Sequence, residues 1–349
     1  MILGREEIRF IRDLFSHYYR IAYLKLPKDL VSREFAFQTL ESDIYVRHMS
    51  FTSESEVRAY LVVNTPKQSY YSTARYSTPT APSYSEAEWR GSEIMFDIDA
   101  DKLPGCQTLA LGRGVEVVTE KCIDIAREAL RRLIYVLESH MGFSEDELMI
   151  YFSGNRGFHV VVTVEDLEWL KLESRHRLEL VDYLSGRGID LKKLLAKMSD
   201  KKLTLLPPKP EDGGWRSLLA LYSSNEVSDE TIRNIAIPVD PLVTQDISRL
   251  IRIPNSINGK TGLAAKLVKI SEVDNFKLDE SLSPFDGYAV VKPNISFSGS
   301  LVGKKVKISD KIAVKIDIDV ALYLVLNKLA NVIKYELEHV ETFEISSNA

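Results

Sequence analysis

An apolar run ending in two aspartates one residue apart, Ile94-Met95-Phe96-Asp97-Ile98-Asp99, constrains this chain more than any other stretch. The alternation is that of a β-strand. Ile94, Phe96 and Ile98 share one face, while Glu93, Met95, Asp97 and Asp99 share the other. Same-face neighbours on a strand lie about 6.5–7 Å apart, close enough for both carboxylates to converge on one or two cations. Oxygen ligands on a rigid element suit Mg²⁺ or Mn²⁺. Two carboxylates beside a sheet core are costly unless positive charge offsets them, so something cationic must gather there.

A chain of 349 residues can form one large domain or two to three lobes around a sizeable core. No apolar run approaches the ~20 residues of a membrane span. The first residues, Met1 to Glu7, turn acidic early and do not resemble a signal peptide, so the cytoplasm is the expected location. With Cys106 and Cys122 as the only cysteines, a disulfide framework is not expected and a reducing cytosol is the default. A net charge of −5 argues against coating nucleic acid through overall charge, but leaves room for a local basic groove.

Helical spacing runs from Glu6 to Leu24 and, strongly, from Thr119 to Met141 through Ile123, Ala126, Leu130, Ile134 and Leu137. Short strands are expected over Arg33–Phe37, Tyr45–Phe51, Met149–Phe152 and Phe158–Val164. Ser69 to Ser85 reads as an irregular surface segment rich in Tyr, Ser, Thr and Pro. Helix-rich sequence follows from Leu167 to Lys201, with a boundary at Pro207-Pro208-Lys209-Pro210. Ile235 to Ile253 reads as strand, and Val320 to Val340 as an amphipathic helix.

Ser153-Gly154-Asn155-Arg156-Gly157-Phe158-His159 is a glycine-flanked turn between two apolar strands. Glycines let backbone N–H groups approach an anion, Ser153 can donate a hydroxyl, and Arg156 can fork onto phosphate oxygens. Taken alone, such turns are mostly plain hairpins and a strand histidine is usually structural. A third stretch supplies a further carboxylate and several cations: Asp240, Asp246, Arg249, Arg252 and the turn Asn258-Gly259-Lys260-Thr261-Gly262. A metal-bound triphosphate needs both, carboxylates for the ions and cations for the phosphate oxygens.

In this order and spacing, the three segments resemble the catalytic (small) subunit of archaeal/eukaryotic-type DNA primases. Supporting matches are Arg33-Glu34-Phe35, Val46-Arg47 with Ser50-Phe51, and Tyr71-Ser72-Thr73-Ala74, so the resemblance covers about Ser32 to Gly262. It implies an α/β (α+β) fold: a mixed, largely antiparallel sheet core with flanking helices and a helical insertion. The expected division is a discontinuous core, 1–164 and 235–349, the latter including a C-terminal accessory region, around an insertion at 165–234.

The resemblance assigns Asp97, Asp99 and Asp240 to Mg²⁺ or Mn²⁺. It assigns Ser153, Gly154, Asn155, Arg156, His159, Arg252 and Lys260 to the nucleotide. Arg47, Tyr71 and Arg75 are the candidate template contacts, because aromatics and arginine tolerate any base sequence. The implied activity is de novo synthesis of short RNA primers, with DNA primers as a further option, on single-stranded DNA. The implied partners are an iron–sulfur-containing large subunit, the template and nucleoside triphosphates.

Alternatives stand beside these expectations. Asp246 competes with Asp240 as third carboxylate, although its neighbours Ile247-Ser248-Arg249 favour a structural pairing. Asn258 stands where some relatives place a histidine. Zinc on Cys106 and Cys122 would need Asp124 or His140 to complete four ligands; buried or free cysteines are the other outcome. A second Asp-x-Asp, Asp317-Ile318-Asp319, precedes a helix and reads as a cap. Rival functions are a polymerase-β-type nucleotidyltransferase, a primase-polymerase or gap-filling polymerase of the same superfamily, and a catalytically weak nucleic-acid-binding subunit.

Overall fold

A computed structural model describes residues 3–199, 202–223 and 227–343, with the side chains of 196–199 and 202–205 excepted. Two antiparallel sheets carry the motifs. The first has four strands in the order Leu250–Arg252, Gln68–Ser72, Phe35–Gln38 and Tyr45–Met49. The second has three, with Gly157–Val162 between Ile94–Asp99 and Leu148–Phe152. One continuous apolar core joins them. The helix Glu120–Ser139 buries Ile123, Ala126, Leu130, Ile134 and Leu137 against the second sheet. It starts where Thr119 caps it by accepting the Cys122 N–H.

A buried arginine locks the two sheets together. Arg33 is 1% exposed and pairs with Glu93 at 2.7 Å and Asp29 at 2.9 Å. It also donates to the carbonyls of Ser72 and Thr73. Glu93 directly precedes the aspartate strand, so that strand's start is fixed to the neighbouring sheet. Arg177, on the helix Ser174–Ser185, donates to the carbonyls of Ser92 and Glu93 from the other side.

Several local expectations are corrected. The irregular segment at Ser69 to Ser85 contains two strands, Gln68–Ser72 and Ala74–Tyr76, and the short helix Tyr84–Ala87. Between Ile235 and Ile253 the strand is only Leu250–Arg252, and Pro241–Gln245 is helical because Asp240 caps it and proline suits the first helical position. The stretch 167–201 holds three helices, but ends in the strand Ala196–Ser199; its last two residues lie outside the described set.

The expected Val320–Val340 helix stops early. Ile318–Leu326 is helical and buried on every side, and Lys328, at φ +60°, turns the chain into the strand Ala330–Val340. That strand pairs with Phe285–Pro293, so sheet partners overrode a local helical pattern.

Cys106 and Cys122 form a disulfide, with 4.6 Å between their Cα atoms. Neither thiolate is left for zinc. The other two candidate ligands are engaged as well, Asp124 with Arg127 and His140 with Ser217 and Tyr183. The cysteine count missed this because it carries no distance: packing brings the loop after Gly105 onto the first turn of the Glu120–Ser139 helix. Closing a loop of 16 residues stabilises a fold by about 3 kcal/mol in the chain-entropy account.

Candidate active site

The register of the second sheet brings the first two motifs together. Asp97 is the cross-strand partner of His159, and Asp99 that of Gly157. Gly157 makes this pairing possible, since a Cβ there would stand 1.9 Å from the Ile98 carbonyl oxygen. The third aspartate arrives from elsewhere in the chain. Asp240 donates its backbone N–H to the Asp97 carbonyl at 3.0 Å and accepts the Leu242 N–H at 2.9 Å through Oδ1. Asp246 is held away, accepting the Ser248 N–H at 2.9 Å and hydroxyl at 2.8 Å. Asp240 is therefore the carboxylate that joins the pair.

After Asp99 a single 3₁₀ turn, Ala100–Lys102, folds two further charges back over the site. Asp101 accepts from Arg156 Nη1 at 2.6 Å, and Arg156 Nε lies 3.4 Å from Asp99 Oδ1. Lys102 Nζ sits between carboxylates of two elements, 3.1 Å from Asp99 Oδ2 and 2.8 Å from Asp240 Oδ2. Sequence inspection missed Asp101 and Lys102. The signal was the i+3 spacing from Asp99, which a tight turn converts into contact.

The charges leave one carboxylate uncompensated. Burial, then Asp99, pushes the Asp97 carboxyl up to about 7. Its Oδ1 is buried without a hydrogen-bond partner. His159 Nε2 approaches it at 3.4 Å, but burial, reinforced by Arg252 and Arg249, holds that imidazole down to about 3. His159 is consequently neutral at physiological pH, and its contact with Asp97 is not an ion pair. Lys102 is driven the other way, up to about 12, by its hydrogen bond to Asp240.

The glycine turn is built differently from the expected open anion cradle. Ser153 Oγ accepts from the N–H groups of Asn155, Arg156 and Gly157 at 3.3–3.4 Å, so the hydroxyl gathers the turn's donors inward. The turn rests on the Asn258–Thr261 segment. Asn258 Nδ2 donates to the Ser153 carbonyl at 2.9 Å and Thr261 Oγ1 to that of Gly154. Gly154 adopts φ +74°, and a Cβ there would press on Asn258 at 2.9 Å. Asn258 is thus a brace between motifs, 2% exposed.

Two cavities meet at Asn155 and Lys260, and each has the volume of a small-ligand pocket. One, of about 340 Å³, is bounded by Asp101, Thr108, Arg156 and Tyr323. The other, of about 370 Å³, is bounded by Tyr45, Gln68, Tyr70 and Arg252. Arg252 donates to Gln68 Oε1, and its guanidinium lies 5.2 Å from the Tyr70 ring centroid.

Among the candidate template contacts, Tyr71 is corrected: it is 2% exposed and packs against Phe35 in the core. Its strand neighbour Tyr70 faces the cavity, as alternation along Gln68–Ser72 requires. Arg75 is spent on Asp29 at 2.8 Å and on Glu165 at 3.3 Å, so it too is withdrawn from a template strand. Arg47 remains on the surface, paired with Glu34 at 2.9 Å.

The donor set suits a hard divalent cation: three carboxylates from two elements, one with a buried oxygen lacking a partner. Among the described residues, no three His, Cys, Asp or Glu side chains are already gathered around one ion position. Among them, too, no helix is long and apolar enough to cross a membrane.

Comparison with known proteins covers the stretch that holds these motifs. The family model for the DNA primase small subunit matches residues 96–270. The DNA primase small subunit PriS of Saccharolobus solfataricus is 35% identical over 354 residues, covering 95% of this chain and 98% of that protein. PriS of Aeropyrum pernix is 37% identical over 287 residues, 79% of each chain. PriS of Hyperthermus butylicus is 34% identical, over 92% of this chain and 96% of its own. Among solved structures, the polymerase domain of Mycobacterium tuberculosis Ligase D in complex with DNA aligns at TM-score 0.40 and 12% identity, over 76% of this chain and 82% of that one. With full-length identity of this order and the aspartate, glycine-turn and lysine-turn segments packed on one another, the chain belongs to the DNA primase small subunit family, a nucleotidyltransferase-type enzyme of DNA replication.

Proposed function

We propose that this chain begins RNA primers de novo on single-stranded DNA by two-metal nucleotidyl transfer. The observation that carries the proposal is the meeting of Asp97, Asp99 and Asp240 beside His159, Arg156 and Arg252. Asp97, Asp99 and Asp240 would hold Mg²⁺ or Mn²⁺. Such ions lower the pKa of an attacking 3′-hydroxyl and offset charge on departing pyrophosphate. The 3′-oxygen attacks the α-phosphorus of the incoming nucleotide, and the bond from that phosphorus to the bridging oxygen of pyrophosphate breaks. Arg156, Arg252 and Lys260 neutralise the triphosphate, Ser153, Gly154 and Asn155 shape its seat, and neutral His159 offers a hydrogen bond rather than charge.

The family resemblance adds the partners: an iron–sulfur-containing large subunit, a template strand and nucleoside triphosphates. The expected setting is the cytoplasm, at the replicating chromosome. The helix-rich 165–234 segment is proposed as an insertion within a discontinuous core. A primer-synthesis assay on single-stranded DNA tests the function, run with ribo- and deoxyribonucleotides, with and without the large subunit. Metal-dependent primers that vanish in the Asp97→Ala/Asp99→Ala double variant are expected. Extension of a primed duplex without any de novo product would point instead to a gap-filling polymerase.

A further inference from the structure

We infer that Lys102 is a resident counter-cation of the acidic cluster, holding Asp99 and Asp240 together before a divalent cation arrives and opposing its entry. The inference rests on the proposed metal site and extends it to a residue with no assigned role. Lys102 Nζ bridges the two carboxylates at 3.1 and 2.8 Å, so the ammonium lies between the two elements that a shared cation would have to join. The second oxygen of Asp99 faces Arg156, at 3.4 Å. Of the three proposed ligands, it is Asp97 that keeps a buried oxygen without a hydrogen-bond partner. This distribution explains why three metal-ligand side chains are not already assembled around one position among the described residues.

Lys102 is also free to leave. Its side chain is 54% exposed, and it ends a three-residue turn rather than sitting inside a strand. An ammonium left in place beside an incoming divalent cation would be a like-charge contact at close range. The lysine must therefore swing outward as the ion binds, and metal affinity is reduced by the free energy of the two ion pairs that are lost.

Mn²⁺ titration of the full-length, nucleotide-free protein by isothermal calorimetry tests this, with thermal melting as a second readout. Lys102→Met keeps the aliphatic stem and removes the charge. It should bind Mn²⁺ about tenfold more tightly, the effect expected from two partly exposed ion pairs acting together. Its metal-free melting temperature should fall while the increase produced by Mn²⁺ grows, and Lys102→Gln should behave alike. Lys304→Met, which removes a lysine from the Asp317/Asp319 pair and touches none of the proposed ligands, should leave Mn²⁺ affinity unchanged. If Mn²⁺ binding depends on Asp97 and Asp99 but is no tighter without the Lys102 charge, the lysine is merely structural and the inference is overturned. If Asp97→Ala/Asp99→Ala binds Mn²⁺ as wild type does, the metal site itself is wrong and both fall.

Discussion

Asp97–Asp99 and Asp317–Asp319 are the same three-residue pattern, each following an apolar, strand-like run, and each has a lysine bridging two carboxylates. Lys102 joins Asp99 to Asp240, and Lys304 reaches Asp317 at 3.3 Å and Asp319 at 3.0 Å. The backbone separates their fates. Asp97 and Asp99 stay within one strand, so both point to the same side and are similarly buried, 13% and 15% exposed. At the other site the helix begins at Ile318, which breaks the alternation. Asp317 is left 59% exposed while Asp319 is buried to 3%. Asp319 Oδ1 accepts its neighbour Val320's N–H at 2.7 Å, whereas Asp317, at the cap position, makes no capping hydrogen bond. Two aspartates diverging across a strand–helix junction serve stability. Two converging beside a third carboxylate, an arginine turn and a neutral histidine form the proposed reaction site.

The comparison would break most visibly in activity. Asp97→Ala/Asp99→Ala is expected to lower nucleotide incorporation by on the order of 10³-fold or more, whereas Asp317→Asn should stay within about twofold of wild type, a change at an exposed residue outside the proposed ligand set. Equal losses at the two sites would end the distinction. Stability should respond in the opposite sense. Asp319→Ala removes the buried partner of Lys304, leaves it only the exposed Asp317, and is expected to cost about 1 kcal/mol in denaturant unfolding. Asp97→Asn should instead stabilise the metal-free protein at pH 8 by on the order of 2 kcal/mol, because it removes a buried carboxylate that ionises unwillingly.

A smaller effect lies in pH dependence. Asp97, raised to about 7, binds more protons folded than unfolded from about pH 4 to 7, so it makes stability fall as pH rises there. His159, lowered to about 3, binds fewer protons folded than unfolded between about pH 3 and 6.5, so it makes stability rise across that window. In wild type the two slopes oppose each other between about pH 4 and 6.5. Relative to wild type, the stability of His159→Gln should therefore decline with pH, and that of Asp97→Asn should climb. Unchanged slopes in both variants, measured by chemical denaturation without metal, would mean that neither group is perturbed as the geometry requires. The mildest change is Gln68→Ala, which removes the acceptor that orients Arg252; a severalfold rise in KM for nucleotide with kcat nearly unchanged is expected.

Much of the site was legible in the chain because its parts obey backbone periods. The strand period of two put Asp97 and Asp99 on one face, and the same rule applied to Gln68–Ser72 separates Tyr70 from Tyr71; reading that stretch as irregular is what misplaced Tyr71. The glycines of the turn were legible as necessities, though their use differs, with Gly157 allowing the close pairing to Ile98 and Gly154 the seat on Asn258. Less legible were elements whose local preference lost to distant partners. Ala330–Val340 fits a helical pattern locally but is a strand because Phe285–Pro293 supplies hydrogen bonds along its length.

By itself the sequence determined the aspartate strand, the turn that registers against it, the order of the three motifs and hence the family. These are properties of short segments, governed by side-chain alternation and by where only glycine fits. Tertiary structure alone decided which charges meet: Asp240 rather than Asp246 beside Asp97, Lys102 between two carboxylates, Arg75 and Arg47 spent on other acids, and Cys106 bonded to Cys122. Pairings of this kind depend on distances between elements far apart in the chain. Those distances are set by how the core packs, a sum over many residues that no single motif contains.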